Sequence, residues 1–300
     1  MTVSILEGKY KPNTRGEIRS LEARTSNSRF KSYGMIESCL IDYFLTTPRK
    51  VRSELMNFLP SKVKNMITSN TWLAFHSVPY QEHTSRRLEH LASLRLDLQN
   101  KDVLEVGAGI GDFTSFFVAR DCRITATDAR HHLVNRLRKR FKEKVTAEIL
   151  DLEMDSIGIS KVFDVVFCYG TLYHVSNPEN VIRNLAKVTG NLFLLETCVS
   201  VNLISDTDPS TPVREISNHP SQAFSGIGSR PNRDWLYQIL CANFEFVYLP
   251  LTQPRHKEFP TDWNNVDDNE LQRAIFICSR TEMVNENLTL NFTHSHASQY

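Results

Sequence analysis

From residue 102 onward the chain alternates short apolar runs with stretches in which apolar residues recur every three to four positions. The runs Asp102–Val106, Arg123–Thr127, Val145–Leu150, Phe163–Tyr169 and Leu192–Cys198 predict strands, several of them apolar enough to be covered on both faces. Between them, Asp112–Ala119, His131–Phe141 and Pro178–Val188 carry helical spacing. Arg233–Ala242 adds a later helix, and further strands are expected near Phe244–Leu249 and Arg273–Ser279. Strand and helix in alternation predict an α/β fold: a parallel sheet with helices on both faces. Just upstream, a helix over Gln81–Leu96 places Leu88, Leu91 and Leu94 on one face.

The flanks read differently. Residues 1–30 are polar and basic without an apolar period, the pattern of a flexible arm. Residues 31–80 form a helical cap and connector, with Ile36, Leu40, Tyr43 and Phe44 at helical spacing and breaks at Pro48 and Pro60. The main domain runs over 81–282. It is interrupted at 200–231 and 250–270 by segments rich in Pro, Ser, Asp and Asn, long enough to be lids. The polar tail 283–300 is expected to be disordered.

Composition narrows the compartment more than the chemistry. A net charge of +1 over 300 residues gives no whole-chain polycation, and 41% hydrophobic content is enough for a full core. Six cysteines without a Cys-x-x-Cys pair argue against a zinc module or disulfide framework. With no apolar run near the roughly 18 residues of a membrane span and no signal-peptide pattern at Met1–Tyr10, the chain reads as cytoplasmic.

Candidate chemistry starts at Glu105-Val106-Gly107-Ala108-Gly109-Ile110-Gly111, where a strand ends in a glycine turn and a helix opens. Such a turn brings bare backbone and free helix N–H groups to a ligand. The Gly-x-Gly-x-x-Gly spacing of dinucleotide sites fails at Asp112, and the Gly-Lys-Ser/Thr of a phosphate loop is absent. The stretch resembles motif I of the class I S-adenosylmethionine (SAM) dependent methyltransferases. The resemblance implies a Rossmann-like, seven-stranded, mostly parallel sheet whose last strand is antiparallel, and SAM as cofactor. It places Glu105, Gly107, Ala108, Gly109 and Gly111 at the cofactor. Asp128, 17 residues past Gly111, suits the ribose hydroxyls with Ala129 beside it, and equally suits a helix N-cap. Asp151, with Leu152, matches the family's adenine-side position, or serves as a turn carboxylate. Phe163–His174 resembles motif IV and brings Tyr169 to the same pocket.

Methyl transfer is an in-line displacement helped by proximity, with a base needed where the acceptor must lose a proton. His174 has the pKa and the placement for that base, Tyr173 for a pocket wall, and Glu196 for an acceptor hydroxyl or an arginine partner such as Arg230. Tyr80, His83 and Arg86 come from the helix that closes over the cofactor in similar enzymes; Arg86, or Arg87 beside it, suits the methionine carboxylate or else a solvated face. No carboxylate follows the fourth strand where catechol-type methyltransferases keep one, so no catalytic metal is expected. The Asn/Asp-Pro-Pro-aromatic signature of amino-methylating nucleic-acid enzymes is also missing. The ordered set Gly107, Gly109, Gly111, Asp128, Asp151 and His174, with the two lid-length insertions, points to methylation of a hydroxyl, with an amine as the lesser option, on a small or sugar-like acceptor. RNA methylation, suggested by the basic arm and by Arg136, Arg138, Lys139, Arg140 and Lys142, is the alternative, and a non-catalytic SAM-fold scaffold a third reading.

Overall fold

The computed structural model describes residues 70–201, 209–267 and 270–298. The basic arm and the part of the cap before residue 70 lie outside the described residues.

Two helices open the described chain, α1 (Thr71–His76) and α2 (Val78–Ser93). Pro79 sits in the first turn of α2, where its missing N–H costs nothing, so the helix starts three residues earlier than its apolar spacing announced. There follow β1 (Asp102–Val106), α3 (Thr114–Val118), β2 (Arg123–Asp128), α4 (His131–Phe141), β3 (Val145–Ile149), β4 (Phe163–Tyr169), α5 (Pro178–Lys187) and β5 (Thr189–Val199). The chain continues through β6 (Ser210–Arg214), β7 (Ile227–Pro231), α6 (Arg233–Asn243), β8 (Phe246–Pro250), β9 (Thr252–Gln253), β10 (Gln272–Ser279), β11 (Leu288–Thr289) and β12 (Ala297–Ser298).

The main sheet has the order β3-β2-β1-β4-β5-β10-β8-β11. Strands β1 to β5 are mutually parallel, and β10 runs antiparallel to both β5 and β8. The seven expected strands are present, and the two-residue β11 makes an eighth. Along the central strands, neighbouring residues alternate between two cores, because successive side chains leave opposite faces. Leu104, Val166 and Leu195 pack with Ile182 and Leu185 of α5 and Leu236 of α6. Val103, Val165 and Leu194 pack with Leu91 of α2, Phe117 of α3 and Leu137 of α4. Burying each such side chain contributes about 1.5–3 kcal/mol before entropy is counted. Polar caps set the helix starts where the sequence placed them: Asn177 accepts from the Asn180 N–H at 3.0 Å for α5, and Asn232 from Asp234 and Trp235 for α6.

Two expectations need correction. Residues 200–231 do not form an irregular lid throughout, because β6 and β7 pair as an antiparallel hairpin from Ser210↔Pro231 to Arg214↔Ile227. The alternation that marks strands is hidden there by Pro212 and Gly228. Nor is the tail disordered: β11 pairs with β8, β12 with β9, and Arg233 donates to the Thr293 carbonyl at 2.7 Å. Its polar composition concealed the few groups that anchor it, among them the buried Leu288 and His296. Among the described residues no helix is long and apolar enough to cross a membrane.

Candidate functional site

In the sheet, β1 lies between β2 on one side and β4 on the other. Connections leave the carboxyl ends of these strands toward opposite faces, opening the crevice in which such sheets bind ligands. A cavity of about 300 Å³ occupies this position, lined among others by Gly107, Ala108, Gly109, Asp128, Ala129, Asp151, Leu152, Tyr169, Tyr173 and His174. Tyr80 and His83 of α2 also line it.

At one end the wall is backbone. Gly107 (φ +68°) and Gly109 (φ +58°) hold left-handed conformations that other residues enter only with strain. A Cβ on Gly107 would stand 2.2 Å from Thr171 Oγ1, and one on Gly109 would stand 3.1 Å from the Phe75 ring. Asp128 ties this turn together: Oδ2 accepts the Gly109 N–H at 3.1 Å and Oδ1 the Arg130 N–H at 2.9 Å. It does not cap α4, whose N-cap is Arg130. Arg130 in turn donates to the carbonyls of Ser217, His219 and Gln222 at 3.2, 3.0 and 2.8 Å, which holds the hairpin loop over the cavity. Asp151 lines the cavity, and its Oδ1 accepts the Glu153 N–H in a turn.

Glu105 and Gly111 stand behind this wall rather than in it. Glu105 is buried and accepts from the Thr114 hydroxyl at 2.6 Å; burial, only partly opposed by that bond, pushes its carboxyl up to about 8, which favours its neutral form. It fastens the turn to α3. Gly111 lies against Phe141 and Leu137 and lets α4 approach the turn.

The opposite end is built from side chains. His174, in the turn after β4, places Nδ1 2.5 Å from Oε2 of Glu215, a residue of the hairpin. Burial lowers the imidazole pKa below its ordinary value, and the carboxylate offsets this only in part. Glu215 ends below the usual carboxylate range: burial raises it, but the bond to His174 and the neighbouring charges outweigh that. Tyr173 lies beside two guanidiniums, Arg273 at 4.9 Å and Arg230 at 5.1 Å from its ring.

Glu196 does not reach the cavity. It is fully buried and accepts from Arg87 Nη1 and Arg273 Nη1, each at 2.8 Å. Burial would raise its carboxyl, but the two guanidiniums hold it below the usual range. Its partners are therefore Arg87 and Arg273, while Arg230 pairs with Glu215 at 3.6 Å. Arg86 is also displaced from the role expected of it: it pairs with Glu89 at 2.9 Å on the solvent side. One residue is about 100° around a helix, so Arg87, the next position, is the one that points inward.

Sequence reasoning missed Phe75, Arg130, Glu215 and Arg273. Glu215 and Arg273 lie far from the glycine turn in sequence, and only the hairpin and β10 bring them to the site, whereas Arg130 directly follows Ala129. Four buried polar atoms on cavity-lining residues have no hydrogen-bond partner among the described residues: Tyr169 OH, Asp112 Oδ2, Arg87 Nε and His83 Nε2. Buried polar groups are rarely left unpaired, so these fit a polar ligand.

Residues 104–191 match the family model described as a methyltransferase domain. Over 130 residues the chain is 31% identical to a tRNA U34 carboxymethyltransferase of Wolinella succinogenes, covering 39% of this chain and 44% of that protein. It is 29% identical over 115 residues to a ubiquinone biosynthesis O-methyltransferase of Rickettsia conorii, covering 36% of this chain and 40% of that protein. The chain thus matches less than half the length of either relative. Among solved structures, the N-terminal domain of EvdMO1, crystallised in the presence of SAH and D-fucose, aligns with TM-score 0.53 at 19% identity, covering 65% of this chain and 82% of that one. Residues 104–191 thus match a methyltransferase-domain model, and the fold is similar to that of the N-terminal domain of EvdMO1.

Proposed function

We propose that this protein is a SAM-dependent methyltransferase in which His174, oriented by Glu215, takes the proton of an acceptor hydroxyl. The observation that carries the reading is the convergence of the bare Gly107–Gly109 backbone and the His174–Glu215 pair on one cavity. The residues present fit the cofactor. Asp112 Oδ2 and Arg87 Nε, buried without partners, suit the ammonium and carboxylate of its methionine end. Asp128 suits the ribose, and Asp151 and Leu152 the adenine. When bound, SAM supplies an electrophilic methyl group on a sulfonium.

The chain's own groups then have distinct tasks. Phe75 and Tyr80, edge to face at 5.3 Å, exclude water from the glycine end. Glu215 on Nδ1 leaves Nε2 of His174 as the ring nitrogen free to accept a proton. The polar wall of Tyr173, His83 and Arg273 favours a hydroxylated small molecule. Calorimetry with SAM and S-adenosylhomocysteine is the first test, with saturable binding expected and absence of heat from both ligands overturning the reading. Methyl incorporation from labelled SAM across a panel of hydroxylated metabolites and sugars then identifies the acceptor.

RNA is the second reading, favoured by the tRNA-modifying relative. Within the basic helix, however, Arg138 donates to the Ala147 carbonyl and Arg140 to the Ile110 carbonyl, so two of its five cations are committed to the fold. An RNA acceptor predicts binding that weakens steeply with salt as counterions are released; a flat salt response eliminates it.

A further inference from the structure

The strongest unassigned cluster adjoins the side-chain end of the cavity, which one of its members, His83, lines. His83, His256 and Glu258 each offer a donor atom, and the three atoms lie within 4.8 Å of one another. They come from α2 and from the segment between β9 and β10, more than 170 residues apart in sequence.

Three observations point to an occupant. His83 is buried at 8% exposure, and its Nε2 has no hydrogen-bond partner, standing 3.7 Å from Glu258 Oε2. The His83 ring packs between His256, 4.9 Å away, and Phe259, stacked at 5.8 Å, which keeps it beside the other two donors. Glu258 Oε2, the atom 3.7 Å from His83 Nε2, also accepts from Arg273 Nε at 2.7 Å, which sets the orientation of the carboxylate beside the two imidazoles.

We propose that His83, His256 and Glu258 bind a divalent transition-metal ion of the zinc class, clipping α2 to the segment before β10. Two imidazoles and one carboxylate are a borderline-soft donor set that suits Zn²⁺, Co²⁺ or Ni²⁺ over Mg²⁺ or Ca²⁺. Tetrahedral bonds of about 2.0–2.1 Å place ligand atoms roughly 3.4 Å apart. Side-chain rotation of about an ångström closes the present cluster to that geometry. Three protein donors leave a fourth position for water or another oxygen ligand, the pattern of an exchangeable site rather than a closed structural one. His83 also lines the cavity, so the ion's presence fixes a wall against which the acceptor lies. Sequence spacing does not reveal this site, since a lone His83 and the His-x-Glu pair His256 and Glu258 are each common.

The test uses the full-length protein, stripped with chelator and titrated with Co²⁺ and with Zn²⁺. Expected are about one equivalent bound, visible Co²⁺ bands of a four- or five-coordinate site, and a rise in Tm with Zn²⁺ concentration. X-ray absorption of the Zn²⁺-loaded wild type should count two imidazoles; one or none overturns the assignment without recourse to any variant. His256→Asn should weaken binding at least tenfold, whereas His132→Asn, at an exposed histidine pair, should leave it unchanged. Binding insensitive to His256→Asn, or stoichiometry well below one, also overturns it. None of these readings requires methyl transfer, so the outcome is independent of the acceptor and of the proposed activity.

Discussion

At the glycine end of the cavity, the wall from Gly107 to Ala129 comes from β1, β2 and the turns that leave them. At the other end, His83, Tyr173, His174 and Arg273 come from α2, the turn after β4, and β10, with Glu215 brought in by the β6–β7 hairpin. The first end presents backbone, whose position is set by strand register and by two glycines in left-handed conformations. The second presents side chains whose positions depend on one another: Arg87 on Glu196, Glu196 on Arg273, Arg273 on Glu258 and Tyr173. A backbone-built wall fails by being filled. A side-chain-built wall fails by losing a member.

The sharpest break is Gly109→Trp. It places an indole where the bare turn faces the cavity and forces a non-glycine residue to φ +58°, so cofactor binding by calorimetry should fall below detection while far-UV circular dichroism stays native. Retained binding would mean that the glycine end is not the cofactor site. His174→Ala acts on the other end alone. It should lower turnover by about a hundredfold or more, the range of general-base catalysis, with cofactor affinity nearly unchanged.

The pH profile sharpens this. A base must be neutral, and burial holds the folded pKa of His174 below its ordinary value, so the wild-type rate should drop on acidification at a lower pH than a free imidazole would give. The drop should vanish in His174→Ala. Glu215→Gln keeps the shape but removes the carboxylate that raises the imidazole pKa. Turnover should fall by roughly tenfold, equivalent to about 1.4 kcal/mol of lost orientation, and the acid limb should move to still lower pH. An acid limb that moves upward contradicts the pairing. The smallest effect is expected of Arg86→Ala, whose partner is the exposed Glu89: about 0.5 kcal/mol or less in stability, and no measurable change in cofactor affinity.

The same contrast explains what the sequence disclosed. The parallel strands and the glycine end were legible because their information is local: apolar runs, a turn spelled by consecutive glycines, an acidic residue at the end of the next strand. Asp128 was expected at the cavity and lines it, but the carboxyl's engagement with the Gly109 N–H was not visible from its spacing. The other end was half legible. His174 was found from its position after a strand, whereas Glu215 was hidden in a segment whose proline and glycine disguise a hairpin. Glu105 and Glu196 misled for a common reason. A carboxylate near a strand end reads as a functional charge, and nothing in spacing distinguishes one facing the crevice from one turned into the protein. Arg86 and Arg87 differ only in helical phase, which the polar surroundings of α2 do not resolve.

The strap formed by residues 283–298 bears on how this domain can be divided. Strand β8 is the outermost long strand of the sheet, and β11 covers its Leu249 and Pro250. Arg233 is buried between Trp263 and Phe292, 4.3 Å from each ring, with the Thr293 carbonyl as its acceptor. A fragment ended at residue 282, where the seven-strand core closes, removes one of those rings and that acceptor together. It also leaves an open strand free to pair with another molecule, so such a fragment trades a folding problem for an aggregation problem, and the minimal expressible unit extends through the strap.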